Sequence, residues 1–212
     1  MIDNHPRSYA DKIELRRRVM AAVGGRVFDA FAGSGKMYFA VWQEAEGYEG
    51  CDKKYFQDDR LMFCCDSLRL MRNIDLAQFS IFDFDTYGSP WEACTILAAR
   101  RKVTAGERLG LVLTEGSGLR LKFQHVPKPL AAMAGVRHKL QGASRAGKEI
   151  AERAISALAQ RMNCRIERIW RAERAQGSAM LYFGIVLAGL SNAAARASGC
   201  DIQRAKRVAG LP

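Results

Sequence analysis

Short apolar runs that end in an acid or a glycine alternate along this chain with stretches of helical periodicity, and few folds tolerate that alternation. RVFDAFAG (26–33), YEGCDKK (48–54), LMFCCD (61–66), FSIFDFD (79–85) and RLGLVLTEG (108–116) each read as a strand. Helical patterns stand between them at 36–46, 67–74 and 91–102, and another precedes them at 8–23, closed by Gly24 and Gly25. Strands joined by helical crossovers lie parallel, and they are apolar throughout because helices cover both faces of the sheet. Past residue 116 the alternation stops. A helix is expected over about 143–162, with Ile150, Ile155, Leu158 and Met162 at helical spacing. Two last strands, 164–173 and 178–190, are joined by a turn at 175–177 that is too short for anything but antiparallel pairing. The fold class expected is α/β: a doubly wound, mostly parallel seven-stranded sheet with a terminal antiparallel strand. The segments are an N-terminal helix (1–25), the main domain (26–190) carrying an insertion at 117–148, and a basic tail (191–212).

Charge is distributed unevenly. Residues 1–99 hold 12 basic and 15 acidic side chains, whereas residues 100–212 hold 21 and 7. The insertion has seven cations, Arg120, Lys122, Lys128, Arg137, Lys139, Arg145 and Lys148, and no acid. Such a field suits a polyanion, so nucleic acid is the expected partner. The longest apolar stretch, 180–190, has 11 residues, well short of the roughly 20 that span a bilayer. The polar start offers no secretory signal. Together these set the expectations of no membrane partner and a cytoplasmic location. Cysteines 51, 64, 65, 94, 164 and 200 form no CxxC pair and have no histidine at ligand spacing, so free buried thiols are expected and no metal.

In an open parallel sheet, ligands bind beyond the carboxyl ends of the strands. The first strand ends Asp29-Ala30-Phe31-Ala32-Gly33-Ser34-Gly35 and runs into a helix, so backbone N–H groups there can meet a ligand. The third glycine of the dinucleotide fingerprint is absent, which disfavours NAD. Asp52 ends the second strand and can accept from ribose hydroxyls. Asp66 ends the third and can accept from an adenine amino group, or cap the helix that follows it. The fourth strand gives Asp83-Phe84-Asp85-Thr86-Tyr87-Gly88-Ser89-Pro90. Acids two apart face one side of a strand, and burial there demands partners.

This order of glycine loop, two acids and an acid-led aromatic loop resembles the class I S-adenosylmethionine-dependent methyltransferases over about residues 26–190. DAFAGSG resembles their first motif as found in enzymes that methylate base amino groups. DFDTYGSPW resembles most the loop of the tRNA guanine-N2 dimethyltransferase family, with Thr86 where that family has proline. At 212 residues the chain is also too short for that family's extra RNA-binding domain. The resemblance implies a Rossmann-like methyltransferase fold and S-adenosyl-L-methionine as cofactor, held by Asp29, Phe31, Gly33, Ser34, Gly35, Asp52, Asp66, Ser67 and Asp83. It implies catalysis by Asp85, Thr86 and Tyr87. Substrate contacts are expected from Gly88, Ser89 and Pro90, joined by Lys122, Lys128, Arg137 and Lys139 of the basic insertion. The expected reaction is methylation of an exocyclic amine of a base, in RNA before DNA. The alternatives are a DNA adenine or cytosine amino-methyltransferase, a small-molecule methyltransferase, and an inactive nucleic-acid-binding module. Oligomeric state is not legible.

Overall fold

The computed structural model describes residues 6–173 and 180–191. The 175–177 turn, Cys200 and the tail beyond 191 lie outside them. Helix α1 (Pro6–Val23) comes first, then strand β1 (Arg26–Asp29), helix α2 (Lys36–Ala40), a 3-10 turn (Trp42–Glu44) and strand β2 (Gly47–Asp52). Strand β3 (Met62–Cys64), helix α3 (Ser67–Met71), strand β4 (Ile81–Phe84), helix α4 (Trp91–Arg100) and strand β5 (Arg108–Glu115) follow. The insertion folds as helices α5 (Gly118–Lys122) and α6 (Lys128–Ala134), and helix α7 (Gly147–Arg161) leads into strands β6 (Cys164–Glu173) and β7 (Leu181–Gly189).

The seven strands form one sheet in the order β3-β2-β1-β4-β5-β7-β6. Strands β1 to β5 pair parallel, and β7 runs antiparallel to both of its neighbours. The sheet expected from the alternation is therefore the one that forms, and its order reverses between β1 and β4.

Each face of the sheet has its own core. Phe28, Phe82, Phe84, Leu111 and Leu113 pack against α4, α6 and α7, while Val27, Ile81 and Val112 pack with Val19 of α1 and Trp42 on the other face. Two glycines let α1 lie close. A Cβ on Gly110 of β5 would come within 2.5 Å of Val19, and one on Gly184 of β7 within 3.1 Å of it.

The helix expected over 36–46 is broken. At Val41 the backbone turns to φ −146°, and the chain continues as the 3-10 turn. That break turns Trp42 inward to full burial, where its indole N–H donates to Asp83. The cysteines also differ in part from expectation. Cys51, Cys94 and Cys164 are buried thiols, but Cys64 is exposed at the edge strand and Cys65 is half-buried. Burial pushes the Cys51 thiol up to about 12, with the neighbouring Cys65 adding to the rise. No described helix is long and apolar enough to cross a membrane.

Candidate active site

The register of the parallel sheet brings the acids together. Asp29 of β1 stands directly beside Asp83 of β4, with Val27 beside Ile81 two residues earlier. Alternation therefore puts Asp29, Asp83 and Asp85 on the face covered by α1. On that helix, Ser8, Leu15, Arg16 and Val19 are all buried, so a cation sits within the apolar stripe. The Arg16 guanidinium grips Asp83 through two bonds, Nε to Oδ2 at 2.7 Å and Nη2 to Oδ1 at 2.9 Å. Trp42 Nε1 donates to Oδ2 at 2.8 Å.

One turn earlier on α1, the Lys12 ammonium reaches both oxygens of Asp85, at 2.8 and 3.0 Å. Arg16 Nη2 also reaches Asp85 Oδ2, at 3.1 Å. Burial alone would raise the Asp85 carboxyl, but Arg16, Lys12 and a hydrogen bond from Thr114 outweigh it and hold the group below the usual aspartate value. Asp29 and Asp83 move the other way. Burial pushes both upward, with Asp83 adding to the rise at Asp29 and Asp85 to the rise at Asp83; Asp29 moves the further, since Arg16 binds Asp83 and not Asp29. Three carboxyls thus share two cations, and the surplus charge is relieved at Asp29.

Asp29 anchors the glycine loop. Its Oδ1 accepts from the Phe31 N–H at 3.2 Å, and its Oδ2 from the Tyr48 hydroxyl at 3.1 Å. Asp52, half-buried at the end of β2, accepts from the Gly33 N–H at 3.0 Å and from the Lys54 N–H at 2.9 Å. Gly35 has φ +78°, and a Cβ there would meet the Arg60 guanidinium at 2.8 Å. Arg60 is itself buried and donates to the carbonyls of Ala32 and Gly33, so the loop is wrapped around a fixed cation. On its other side the loop is open: a Cβ on Gly33 would meet nothing within 4 Å, and Ser34 is exposed.

The structure thus assembles Asp29, Phe31, Gly33, Ser34, Gly35 and Asp52 at one edge. Asp66 and Ser67 stand one strand further out. Asp66 takes up the capping role: Oδ1 accepts from the Arg69 N–H at 2.9 Å, and Oδ2 pairs with Lys53 at 2.9 Å. That pairing holds its carboxyl below the usual value. Asp83 offers no surface to a ligand, because it is fully buried with both oxygens taken. Its part is to fix the strand end from which Asp85 emerges. Beyond Asp85, Tyr87 stands 91% exposed. Gly88 is tied to the end of β5, where the Gly116 N–H donates to its carbonyl at 2.7 Å. Pro90 is buried at the start of α4, and Ser89 is half-buried.

Sequence reasoning missed Lys12, Arg16, Trp42 and Glu115. The signal for the first two was the four-residue spacing that puts both cations on the inward stripe of α1, facing two acids in need of partners. Glu115 closes β5 as one more buried acid. Its carboxylate accepts from the Trp91 indole at 2.5 Å and from the backbone N–H and hydroxyl of Ser117, so it fixes where the insertion leaves the sheet. Lys122, Lys128, Arg137 and Lys139 are all exposed.

No protein-family model matches the chain, and no curated protein matches its sequence. Solved structures do resemble it. Trm1 from Pyrococcus horikoshii, in complex with S-adenosyl-L-methionine, matches with a TM-score of 0.59 at 17% identity over 89% of this chain and 57% of that one. The chain therefore spans little more than half the length of that relative. Magnesium protoporphyrin IX methyltransferase from Synechocystis PCC 6803, with bound SAH, matches with a TM-score of 0.52 at 12% identity over 86% of this chain and 83% of that one. N-methyltransferase NodS from Bradyrhizobium japonicum WM9 gives 0.50 at 7% identity, over 89% of this chain and all of that one. At such identities the likeness is one of fold, and the chain has the Rossmann-like α/β fold of the class I methyltransferases.

Proposed function

We propose that this protein is an S-adenosylmethionine-dependent methyltransferase acting on an exocyclic amine of a nucleic-acid base, in RNA before DNA. The observation that carries the reading is the juxtaposition at one sheet edge of an open glycine loop, the half-buried Asp52 carboxylate and an ionised Asp85 leading to an exposed Tyr87. The Ala30 N–H donates to the Asp83 carbonyl at 3.1 Å, which locks the loop to the strand that carries Asp85.

The residues present fit the cofactor. The Asp52 carboxylate keeps lone pairs for ribose hydroxyls, and the space above Gly33 admits a ligand against the backbone. When bound, the cofactor supplies a methyl group on a positively charged sulfur. The chain's own residues then act on the acceptor. An exocyclic amine is a weak nucleophile because its lone pair is delocalised into the ring. Asp85, 18% exposed despite its two cations, offers a fixed acceptor for an amine N–H, and the Thr86 carbonyl offers a second. Such hydrogen bonds localise the lone pair and orient it. Because Arg16 and Lys12 keep Asp85 ionised and weakly basic, its part is acceptance and alignment, while the released proton passes to water. Tyr87 offers a face on which a flipped or unpaired base stacks. The cations of 117–148, exposed beside this edge, attract the phosphate backbone.

Calorimetry with S-adenosylmethionine and with NAD tests the cofactor. Transfer of labelled methyl to RNA, DNA and small amines tests the acceptor. Binding of the first ligand, with label incorporated into RNA, is expected. Preference for NAD overturns the reading, and label on small amines alone removes the nucleic acid from it.

A further inference from the structure

Helix α5 has two unlike faces. Leu121 is buried and reaches Gly147 at the start of α7. Leu119 and Phe123, the C-cap residue four positions on, are 63% and 71% exposed on the outer side. Apolar side chains standing together in water mark a surface that something covers.

The rest of the insertion folds back just past the end of α5 and leaves this face open. The Val126 N–H donates to the His138 carbonyl at 2.8 Å and the Leu140 N–H to the Gln124 carbonyl at 3.0 Å, so Lys139 lies beside His125, two residues from Phe123. Chain neighbours Arg120 and Lys122 add two more exposed cations. None of the three cations has an ion pair among the described residues. The face is also tied to the candidate site. Gly116, two residues before α5, bonds Gly88, the neighbour of Tyr87.

We infer that the outer face of α5 is a docking surface for an unpaired RNA strand, with a base laid on the Phe123 ring and phosphates against Arg120, Lys122 and Lys139. An aromatic ring set among cations suits bases whose faces are free and a backbone that carries charge. A duplex buries its base faces and gains only the charges. The inference rests on the nucleic-acid reading above and narrows it to single-stranded regions.

Fluorescence anisotropy on the full chain tests it, with a labelled 12-nucleotide single-stranded RNA, the same RNA as a duplex, and single-stranded DNA of the same sequence. Phe123→Ala should weaken binding of the single-stranded RNA roughly 5- to 100-fold at fixed salt, as expected for the loss of one stacked base. Its salt slope and the duplex affinity should not change, and Phe123→Trp should restore binding. Equal losses on single strand and duplex overturn the inference, as does no loss. Loss on the DNA alone would assign the face to DNA and overturn it likewise. A Phe123→Ala variant that changes sedimentation while its RNA affinity stays fixed would assign the face to a second copy of the chain. A wild-type chain that binds none of the three probes overturns the nucleic-acid reading and this inference with it. Wild-type binding that Phe123→Ala leaves intact overturns the inference alone.

Discussion

Asp83 sits near the end of β4 and Lys122 at the end of α5, and they are opposites: Asp83 has no exposed surface and three donors, while Lys122 stands in solvent without an ion pair among the described residues. Around Asp83 every charge has a partner in fixed geometry, because a lone charge there would forfeit its hydration with nothing in return. Around Lys122 water does the solvating, so exposed cations such as Lys122, Lys128, Arg137 and Lys139 can stand close together in the chain at small cost. The first region works by position. The second works by field, which reaches further and is indifferent to the placement of any one side chain.

The comparison breaks most sharply at Arg16. Arg16→Met strands Asp83 in the core without its cation, and should cost about 3–5 kcal/mol of stability, as breaking a buried ion pair from one side does. A thermal melt reads this as a fall of roughly 2–4 °C per kcal/mol for a domain of this size. A variant that melts with the wild type would mean that the Arg16–Asp83 pair does not carry the core.

Asp85→Ala comes next. It removes the acceptor but leaves Arg16 on Asp83, and Lys12 is free to turn to solvent. Methyl transfer should fall roughly a hundredfold or more, with cofactor affinity little changed. Lys12→Met makes a companion variant whose effect has a definite sign. Lys12 helps to hold the Asp85 carboxyl below its usual value, so in the wild type the acceptor stays ionised until the pH falls below the ordinary aspartate range. Removing Lys12 lets that carboxyl rise, and the acid limb of the pH–rate profile should move to higher pH. A limb that stays in place would detach Lys12 from Asp85 during turnover.

How these regions could be read from sequence differs for the same physical reason. The strands were legible because their burial patterns are local: β6 spans 164–173 as expected, and β4 ends at the foreseen pair of acids. The capping role of Asp66 was legible as one of two readings, since a carboxylate before a helix can serve either. The clamp on α1 was not. Lys12 and Asp85 are 73 residues apart and Arg16 and Asp83 are 67 apart, so only packing of α1 on the sheet joins them. The break at Val41 escaped notice because it serves the bond from Trp42 to Asp83, another long-range demand. In 117–148 the cations were plain from composition, but the fold-back that sets Lys139 near Phe123 was invisible, because it rests on backbone bonds between 124–126 and 138–140.

A smaller effect is expected at Asp52. Its carboxylate joins the Gly33 N–H and, in the proposed reading, the ribose. Asp52→Ala should weaken S-adenosylmethionine by about 1–3 kcal/mol in calorimetry, the cost of leaving hydrogen-bonding groups without partners. Unchanged affinity would confine Asp52 to holding the loop.

The smallest effect on the folded protein, and the one that isolates the field, comes from changing Lys122, Lys128, Arg137 and Lys139 together to Ala. All four are exposed, so stability should move by less than about 0.5 kcal/mol per site, unlike the loss at Arg16. Cofactor affinity should also hold, since none of the four belongs to the glycine-loop edge. The change should appear in the dependence of RNA affinity on salt. Each cation that neutralises a phosphate releases condensed counterions, so the logarithm of affinity falls with the logarithm of salt at a slope of about 0.7 per contact on a single strand. Removing four contacts would flatten the slope by up to roughly 2.8, and fewer contacts would flatten it in proportion. Filter binding at several salt concentrations gives the slope directly. If it is the same in wild type and variant, these cations are solvated and touch no phosphate, and the polyanion, if bound at all, is held by other charges of the basic half.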